Sequence, residues 1–225
     1  MKILNLYACL GGNRYKWDDV AKEAGIEIEI TAVELDEELA KLYQERFPND
    51  KVIVADAHQY LLDHYKEFDF IWSSPPCPTH SRVRISQKNR DSFKAVYPSM
   101  TLYEEILFLE HNFKGKYVVE NVIPYYEPLI PAKKRGRHLY WTNFNLPSYL
   151  GEREEGKGLM GKTCIDEVTK WGKFHDYDFY KYKGTQRRDK IARNLVDYEA
   201  GKTIFETFLG IEKKQNVNQK TIFDI

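Results

Sequence analysis

The chain has 225 residues, 42% apolar and 30% charged, which is enough for one globular domain with a full hydrophobic core. Its 34 basic and 34 acidic side chains balance, which excludes a binder that attracts a polyanion with its whole surface but leaves local basic patches open. Cys9, Cys77 and Cys164 are odd in number and far apart, unlike a disulfide framework or a zinc cluster. No run of 18 apolar residues and no signal peptide is present, so we expect a soluble, intracellular protein without a membrane partner.

The beginning of the chain has the pattern of a nucleotide-binding βαβ unit. Residues 3–8 predict a strand, Gly11 and Gly12 follow in a turn, and a helical pattern covers residues 15–24. A second predicted strand ends at Glu34, 22 residues after Gly12. At that spacing an acidic side chain meets ribose hydroxyls in such units, so we predict this role for Glu34.

Two further acidic residues follow strand ends. Asp36 fits the N-cap of a helix predicted over residues 37–47 better than Glu34 does. Asp56 comes directly after a third short strand, residues 52–54, where it either caps the next helix or faces a ligand in the crevice at the sheet edge.

A cysteine follows two prolines at the end of a predicted buried strand. Residues 68–72 are apolar and aromatic, and the chain must leave the sheet at Pro75 and Pro76 because proline cannot continue a central strand. Cys77 therefore lies on a stiff loop at the carboxyl end of a strand, where open α/β sheets bind ligands. It is either a nucleophile or a small buried thiol.

The next segment is basic and leads to a second carboxylate at the same edge. Residues 78–98 form a long basic stretch with few apolar residues, either a phosphate-contacting flap or a solvated one. A helix is predicted over residues 101–112, and the strand at residues 116–119 then delivers Glu120 to the edge that carries Cys77. A carboxylate directly after two valines is costly to bury unless it has a function or a partner.

The last third of the chain contains further basic residues. In an extended segment, Lys133, Arg135 and Arg137 would project on the same side. Residues 145–184 have little pattern apart from aromatics interleaved with lysines, which suits either a nucleic-acid contact or the packing of a small lobe. Residues 198–209 predict a closing helix.

Together these residues resemble the DNA cytosine methyltransferases that modify ring carbon 5. The motifs occur in the family's order: Tyr7-Ala8-Cys9-Leu10-Gly11-Gly12, the acidic Glu34 and Asp56, Pro75-Pro76-Cys77, Glu120-Asn121-Val122, Arg135-Gly136-Arg137 and, more loosely, Arg193-Asn194-Leu195-Val196. The resemblance covers residues 3–142 and, more loosely, 193–209. Cys9 stands where the family usually has glycine, and Lys133 where it usually has glutamine. The resemblance implies an α/β protein with a Rossmann-like S-adenosylmethionine-dependent methyltransferase sheet and a small, reduced recognition lobe.

The resemblance also implies roles for individual residues. The catalytic candidates are Cys77, Glu120, Arg135 and Arg137. The residues expected at S-adenosyl-L-methionine are Tyr7, Ala8, Cys9, Gly11, Gly12, Glu34, Leu35, Asp56, Ala57, Pro75 and Asn194. The residues expected at DNA are Ser81, Arg82, Arg84, Lys181, Lys183, Arg187 and Arg188. No metal is expected.

The implied reaction explains why these residue types are needed. A Cys77 thiolate would add to carbon 6 of cytosine and make carbon 5 nucleophilic toward a methyl donor. Positive neighbours, with Arg82, Arg135 and Arg137 as candidates, are expected to favour the thiolate. Glu120 would protonate ring nitrogen 3, which requires a raised pKa that burial can supply, and Arg137 would hold the base carbonyl. The base must be flipped out of the duplex.

The implied organisation has four parts: a catalytic and cofactor-binding core over residues 1–143, a target-recognition lobe over 144–185, a segment over 186–212 that returns to the core, and a flexible tail over 213–225. We expect a monomer that acts on double-stranded DNA in the cytoplasm of a bacterium or a phage-infected cell, as in DNA protection or restriction-modification. In the tail, Gln219, Ile222 and Phe223 resemble a peptide that docks on the sliding clamp, with a frayed terminus as the alternative. The alternative functions are cytosine methylation of RNA and non-catalytic binding of DNA or a protein.

Overall fold

The structure of the protein is a computed structural model, which describes residues 1–86, 88–89, 93–147 and 164–211. The strands of this part of the chain are β1 (Lys2–Leu6), β2 (Glu29–Glu34), β3 (Lys51–Val54), β4 (Phe70–Ser73), β5 (Lys116–Val122), β6 (Lys133–Arg135) and β7 (His138–Thr142). Its α-helices are α1 (Trp17–Glu23), α2 (Glu37–Arg46), α3 (Ala57–His64), α4 (Val83–Ser86), α5 (Thr101–Asn112), α6 (Cys164–His175), α7 (Arg188–Asn194) and α8 (Tyr198–Phe208). Short 3₁₀ turns cover Tyr65–Glu67 and Phe179–Lys181.

The strands of the described residues form one mixed sheet in the order β3-β2-β1-β4-β5-β7-β6. Strands β1 to β5 are parallel, while β7 is antiparallel to both β5 and β6. Strand β6 therefore runs in the same direction as β5, and the turn that follows it lies at the carboxyl edge of the parallel strands. The turns after β1, β2, β3, β4 and β6 all open at this edge, as in other open α/β sheets that bind ligands there.

Helices cover both faces of the sheet, which explains why its central strands are continuously apolar. Strand neighbours alternate between the faces: Leu4 packs in a cluster with Leu61 and Ile106, whereas Ile3 packs in a cluster with Trp17 and Phe205. Helices α3 and α5 thus lie on one face, and α1 and α8 on the other. The described part of the chain contains no helix that could span a lipid bilayer.

The predicted elements are present with small shifts in their ends, and three expectations are corrected. Strand β5 continues to Val122, so Glu120 lies within the strand and not just after it. The basic segment at residues 78–98 contains the short helix α4. Arg135 and Arg137 do not share a side, because Gly136, with φ of 54°, turns the chain between them. As a result Arg135 is buried and Arg137 is exposed.

Residues 164–195 pack on the core beside α2, and α6 within them was not predicted. Trp171 of α6 and Ile191 of α7 share a hydrophobic cluster with Leu10 and Leu39. The Arg46 guanidinium donates to the main-chain oxygens of Leu10 (2.9 Å) and His175 (2.6 Å). The described part of the predicted recognition lobe is therefore joined to the core by both apolar and polar contacts, and the four-part division of the chain stays a prediction.

Candidate active site

The Cys77 loop is held at both ends by hydrogen bonds. On its near side, the Asn121 side-chain amide donates to the main-chain oxygen of Pro75 at 2.8 Å, and Trp72 Nε1 donates to Ser74 Oγ at 3.0 Å. On its far side, the main-chain amides of His80 and Ser81 donate to the Cys77 carbonyl at 3.0 and 3.1 Å. The loop is therefore fixed to both β4 and β5, and Cys77 is a free, partly buried thiol within it.

Glu120 lies on β5 next to this loop and is buried. Burial raises the pKa of its carboxyl from 4.5 to about 7, and a hydrogen bond with Ser74 partly opposes the shift. The Nε2 atom of His138, on β7, is 3.6 Å from Glu120 Oε1. A carboxyl group with this pKa carries a proton for much of the time near neutral pH, so it can act as an acid.

The charges around Cys77 only partly match the expectation of a stabilised thiolate. Burial raises the pKa of the thiol above its usual value, and the negative charge of Glu120 raises it further. The positive charges of Arg137 and Lys190 lower it, but they do not outweigh the burial. The resting side chain is therefore a thiol at neutral pH, and the expected thiolate is not the resting form.

Two of the three arginines proposed as partners of this thiol point elsewhere. Arg135 is buried with a guanidinium nitrogen 3.5 Å from Asp197 Oδ2, at the N-cap of α8. Arg82 Nε donates to the Pro124 carbonyl at 3.1 Å. Arg137 does act on the thiol, because its positive charge lowers the pKa of Cys77, and the charge of Lys190 on α7 has the same effect. No local sequence pattern selects Lys190, because its proximity to Cys77 depends on how α7 packs on the core.

The turn after β1 has an unusual backbone held by Glu34. Tyr7 and Cys9 have φ angles of 55° and 48°, a region that residues other than glycine rarely adopt, and Gly11 follows with 67°. Glu34 Oε2 accepts from the Cys9 amide at 2.8 Å, and Oε1 accepts from the Asp36 amide at 2.9 Å. Burial raises the pKa of Glu34. A carboxylate has about four lone pairs, more than these main-chain amides use, so Glu34 can still accept a hydrogen bond from a ligand.

The two glycines of this turn serve protein packing. A Cβ atom on Gly11 would overlap the Phe47 ring, and one on Gly12 would overlap the main-chain oxygen of Val196. The absence of side chains thus lets the turn contact α2 and the segment after α7. Asn194, the last residue of α7, is exposed, whereas Leu195 and Val196 after it are buried.

The other predicted cofactor residues lie at neighbouring strand ends. Leu35 follows β2 and is 68% exposed, which is unusual for leucine, while Ala57 and Pro75 are buried. Asp36 caps α2 through the Leu39 amide, as expected. Asp56 caps α3 through the Gln59 amide at 2.9 Å, and its side chain is exposed at the carboxyl edge.

The first group of predicted DNA contacts flanks the Cys77 loop. Ser81 and Pro124 pair in an isolated antiparallel β-bridge, which ties the chain after Cys77 to the chain after β5. Arg84 donates to the Lys94 carbonyl at 2.7 Å and its guanidinium lies 5.6 Å from the centre of the Phe93 ring. This part of the basic segment is therefore internally bonded.

The second group of predicted DNA contacts lies between the end of α6 and the start of α7. The Nζ atom of Lys183 donates to the Tyr180 carbonyl, and the Arg188 guanidinium stacks on the Tyr180 ring. Lys181 lies 6.0 Å from the Tyr177 ring centre. Arg187 pairs with Asp189 at 2.9 Å, although the arginine side chain is 70% exposed. All four side chains have intramolecular contacts, and their role in binding DNA stays a prediction.

The sheet and the side chains at its carboxyl edge have the arrangement of a Rossmann-like methyltransferase fold. This sheet is similar to that of the methyltransferase EhMeth from Entamoeba histolytica, with a TM-score of 0.54, 10% identity, and coverage of 95% of this chain and 99% of that one. The family model of the C-5 cytosine-specific DNA methylases matches residues 1–123, more than half of the chain. The chain belongs to this family.

A second similar structure is DNMT2 from Spodoptera frugiperda, which is 21% identical with a TM-score of 0.39, over 68% of this chain and 53% of that one. The chain thus spans about half the length of DNMT2. A search of curated protein sequences finds no match.

Proposed function

We propose that the protein transfers a methyl group from S-adenosyl-L-methionine to carbon 5 of cytosine in double-stranded DNA, through a covalent bond to Cys77. The observation that carries the proposal is the pairing of Cys77 with Glu120 at one sheet edge. Glu120 is close enough for its charge to raise the pKa of the thiol, and burial holds its own pKa at about 7. A nucleophile beside an acid that is protonated near neutral pH is the arrangement that cytosine addition requires.

Cys77 and Glu120 would act together in the first step. The sulfur forms a bond to carbon 6, and the π electrons of the carbon 5–carbon 6 double bond shift to form a double bond between carbons 4 and 5. The π electrons of the carbon 4–nitrogen 3 double bond move onto nitrogen 3, which takes the proton of Glu120. The thiol must first give its proton to solvent water, and a protonated Glu120 assists this ionisation because it removes one of the charges that raise the thiol pKa. Bound S-adenosylmethionine would supply the electrophilic methyl group.

Arg137 and Lys190 would supply positive charge to the same step. Both lower the pKa of Cys77, and both side chains are exposed, so they can approach a substrate. Arg137 also comes from a turn that is bonded to the chain directly after β5, because its carbonyl accepts from the Ile123 amide at 2.9 Å. We therefore assign it the contact with the base carbonyl. Arg135, which pairs with Asp197, would instead hold the turn in place.

The ends of β1, β2 and β3 suit an adenosine group. Leu35 offers exposed apolar surface next to Glu34, whose oxygens retain free lone pairs for hydroxyl groups, and Asp56 adds a second carboxylate. Tyr7 to Gly12 form the adjoining turn. We propose that these residues hold the cofactor beside Pro75, close to Cys77.

A base stacked inside a duplex could not reach Cys77, so we propose that the target cytosine is flipped out. The exposed residues Arg82, Lys181, Lys183 and Arg187 would contact the phosphates and offset the unstacking energy, which is a few kcal/mol. We also propose that the protein is a monomer that acts in the cytoplasm, and that residues 144–185 form a recognition lobe.

Transfer of labelled methyl groups to duplex DNA tests the proposal. The wild-type protein should label cytosine in duplex DNA more efficiently than in tRNA, and Cys77→Ala should abolish transfer while still binding the cofactor. Preference for tRNA would favour the RNA alternative, and binding without transfer would favour the non-catalytic one. Transfer that survives in the Cys77→Ala variant would exclude the covalent route.

The proposed clamp peptide, Gln219, Ile222 and Phe223, lies outside the described residues. We propose that it docks on the bacterial sliding clamp as an extended peptide. A chain that ends at residue 211 should lose clamp binding in a pull-down with the purified clamp but keep DNA methylation. Equal clamp binding by the two chains would exclude this role.

A further inference from the structure

Glu105 of α5 is a buried carboxylate that takes no part in the chemistry described above. Its side chain is fully buried, and both oxygens accept hydrogen bonds. Oε1 accepts from the Tyr7 hydroxyl at 2.6 Å and lies 3.0 Å from His58 Nδ1, while Oε2 accepts from Ser73 Oγ at 2.5 Å. Burying a carboxylate is costly without such partners, so the cluster must be formed as a unit.

The three partners come from three separate parts of the carboxyl edge. Tyr7 directly follows β1 and begins the turn that leads to Gly12. Ser73 ends β4, two residues before Pro75, and His58 lies in the first turn of α3, two residues after Asp56. Each of the three partners is thus within a few residues of a side chain or turn to which we assign cofactor contact.

The contact with Tyr7 also explains an unfavourable backbone conformation. With a φ of 55°, Tyr7 occupies a region that costs about 1–3 kcal/mol and that persists only when the surroundings determine it. The hydrogen bond from the Tyr7 hydroxyl to Glu105 on α5 anchors the tyrosine side chain outside the turn itself. Burial raises the pKa of Tyr7, and the charge of Glu105 and its hydrogen bond raise it further. The hydrogen bond to Glu105 is the largest cause of the raised pKa of His58.

We propose that Glu105 is the positioning residue of the S-adenosylmethionine site, which it shapes by fixing the ends of β1 and β4 and the start of α3 relative to one another. It does not contact the cofactor itself. This inference rests on the proposed function, because it assigns the residue to the site that function requires. No element of the sequence pattern selects it, since Glu105 is one of two adjacent glutamates on a helix.

The test compares cofactor binding by Glu105→Gln and the wild-type protein, measured by isothermal titration calorimetry on the full chain. Glutamine keeps the shape but loses the charge that strengthens three hydrogen bonds, so the dissociation constant for S-adenosylmethionine should rise roughly tenfold or more. In methylation assays the KM for the cofactor should rise, while kcat at saturating cofactor and the affinity for duplex DNA stay close to wild type.

Glu110→Gln is the matched control. Glu110 lies on the same helix and accepts from the Tyr117 hydroxyl at 2.6 Å, so this variant also removes a tyrosine–carboxylate bond. Tyr117, however, lies near the amino end of β5, away from the cofactor edge. The cofactor affinity of the Glu110→Gln variant should therefore equal that of the wild type. An equal loss in both variants would show general disturbance of α5 and would overturn the proposal.

Unchanged cofactor affinity in Glu105→Gln would also overturn the proposal. If that variant does not fold, Ser73→Ala replaces it, since it deletes one bond and leaves the carboxylate with two partners. Weaker cofactor binding by Ser73→Ala supports the positioning role, and wild-type binding contradicts it. A wild-type protein that does not bind S-adenosylmethionine would instead refute the proposed function itself, and the positioning role with it.

Discussion

Cys77 and Glu120 place opposite demands on the pH. Burial raises both pKa values, that of Glu120 to about 7 and that of Cys77 above its ordinary value of 9. The proposed addition needs the thiolate together with the protonated acid. Because the acid titrates at lower pH than the thiol, this combination is a minor form at every pH, and the two groups titrate as a coupled pair.

A plot of kcat/KM against pH should therefore show a break at the pKa of Glu120, near pH 7. The rate is expected to rise toward pH 7 as the thiolate fraction grows, and then to level off, because above pH 7 each further ionisation of Cys77 is offset by loss of the Glu120 proton. In Glu120→Gln the residual rate should lack this break and keep rising until Cys77 is ionised. A break near pH 7 that persists in the variant would assign it to another group.

Burial of the Glu120 carboxyl group should also lower the free energy of unfolding at neutral and higher pH. Its folded-state pKa is raised from 4.5 to about 7, so the folded state binds the proton more tightly, and this contribution to stability is lost as the pH rises through that window. Glu120→Gln removes the cost. We expect it to be more stable than the wild type at pH 8, on the order of 3 kcal/mol, with a much smaller difference at pH 4.5.

Urea denaturation of both proteins at the two pH values measures this difference. The control is Glu127→Gln, which changes an exposed glutamate on the chain after β5. It should change stability little at either pH. A Glu120→Gln variant that is less stable than the wild type at pH 8 would show that the buried carboxylate is stabilised by its neighbours.

At the scale of single elements, the contact between α1 and α8 depends on Gly201. Trp17 Nε1 donates to the Gly201 carbonyl at 3.3 Å, and a Cβ atom on this glycine would overlap the backbone of Asn13. Gly201→Ala should therefore destabilise the protein by about 2 kcal/mol or more, although alanine is the better helix former.

Gly210→Ala is the control for this element prediction. Gly210 has a φ of 71° with open space around it, so alanine there costs only backbone strain, about 1 kcal/mol. Thermal unfolding should show a larger loss for Gly201→Ala than for Gly210→Ala. The opposite ranking would mean that α8 can move away from Asn13 at little cost.

The elements show what the sequence could and could not predict. Continuous apolar runs such as residues 68–72 predict buried strands well, because a sheet covered on both faces imposes that pattern. The motifs also selected Cys77 and Glu120. Side-chain direction near turns was not predictable, as Arg135 and Arg137 show, since it depends on one residue with a positive φ. Glu105 and Lys190 depend on contacts between distant segments, which no local pattern records.

At the scale of the whole molecule, α8 completes the core although it is nearly the last described element. Ile204 and Phe205 are fully buried, and the Phe205 ring stacks on Trp17 with centroids 5.1 Å apart. A chain that ends at residue 196 would expose Trp17 and one face of the central strands. It should be insoluble or lack a cooperative unfolding transition.

A chain that ends at residue 211 is the matched control for this truncation. It keeps every residue of the described core, so it should unfold cooperatively, with a Tm close to that of the full chain. A soluble, cooperatively folded chain of residues 1–196 would contradict the assignment of α8 to the core.

The most direct test of the proposed function is to trap the bond between Cys77 and the base. Release of Cys77 after methyl transfer requires loss of the hydrogen on carbon 5, and fluorine at that position cannot leave as a proton does. Duplex DNA with 5-fluorocytosine at target sites should therefore give, with S-adenosylmethionine, a protein–DNA complex that survives denaturation and maps by mass spectrometry to Cys77. No such complex with DNA that the enzyme methylates, or an equal yield from Cys77→Ala, would contradict the account.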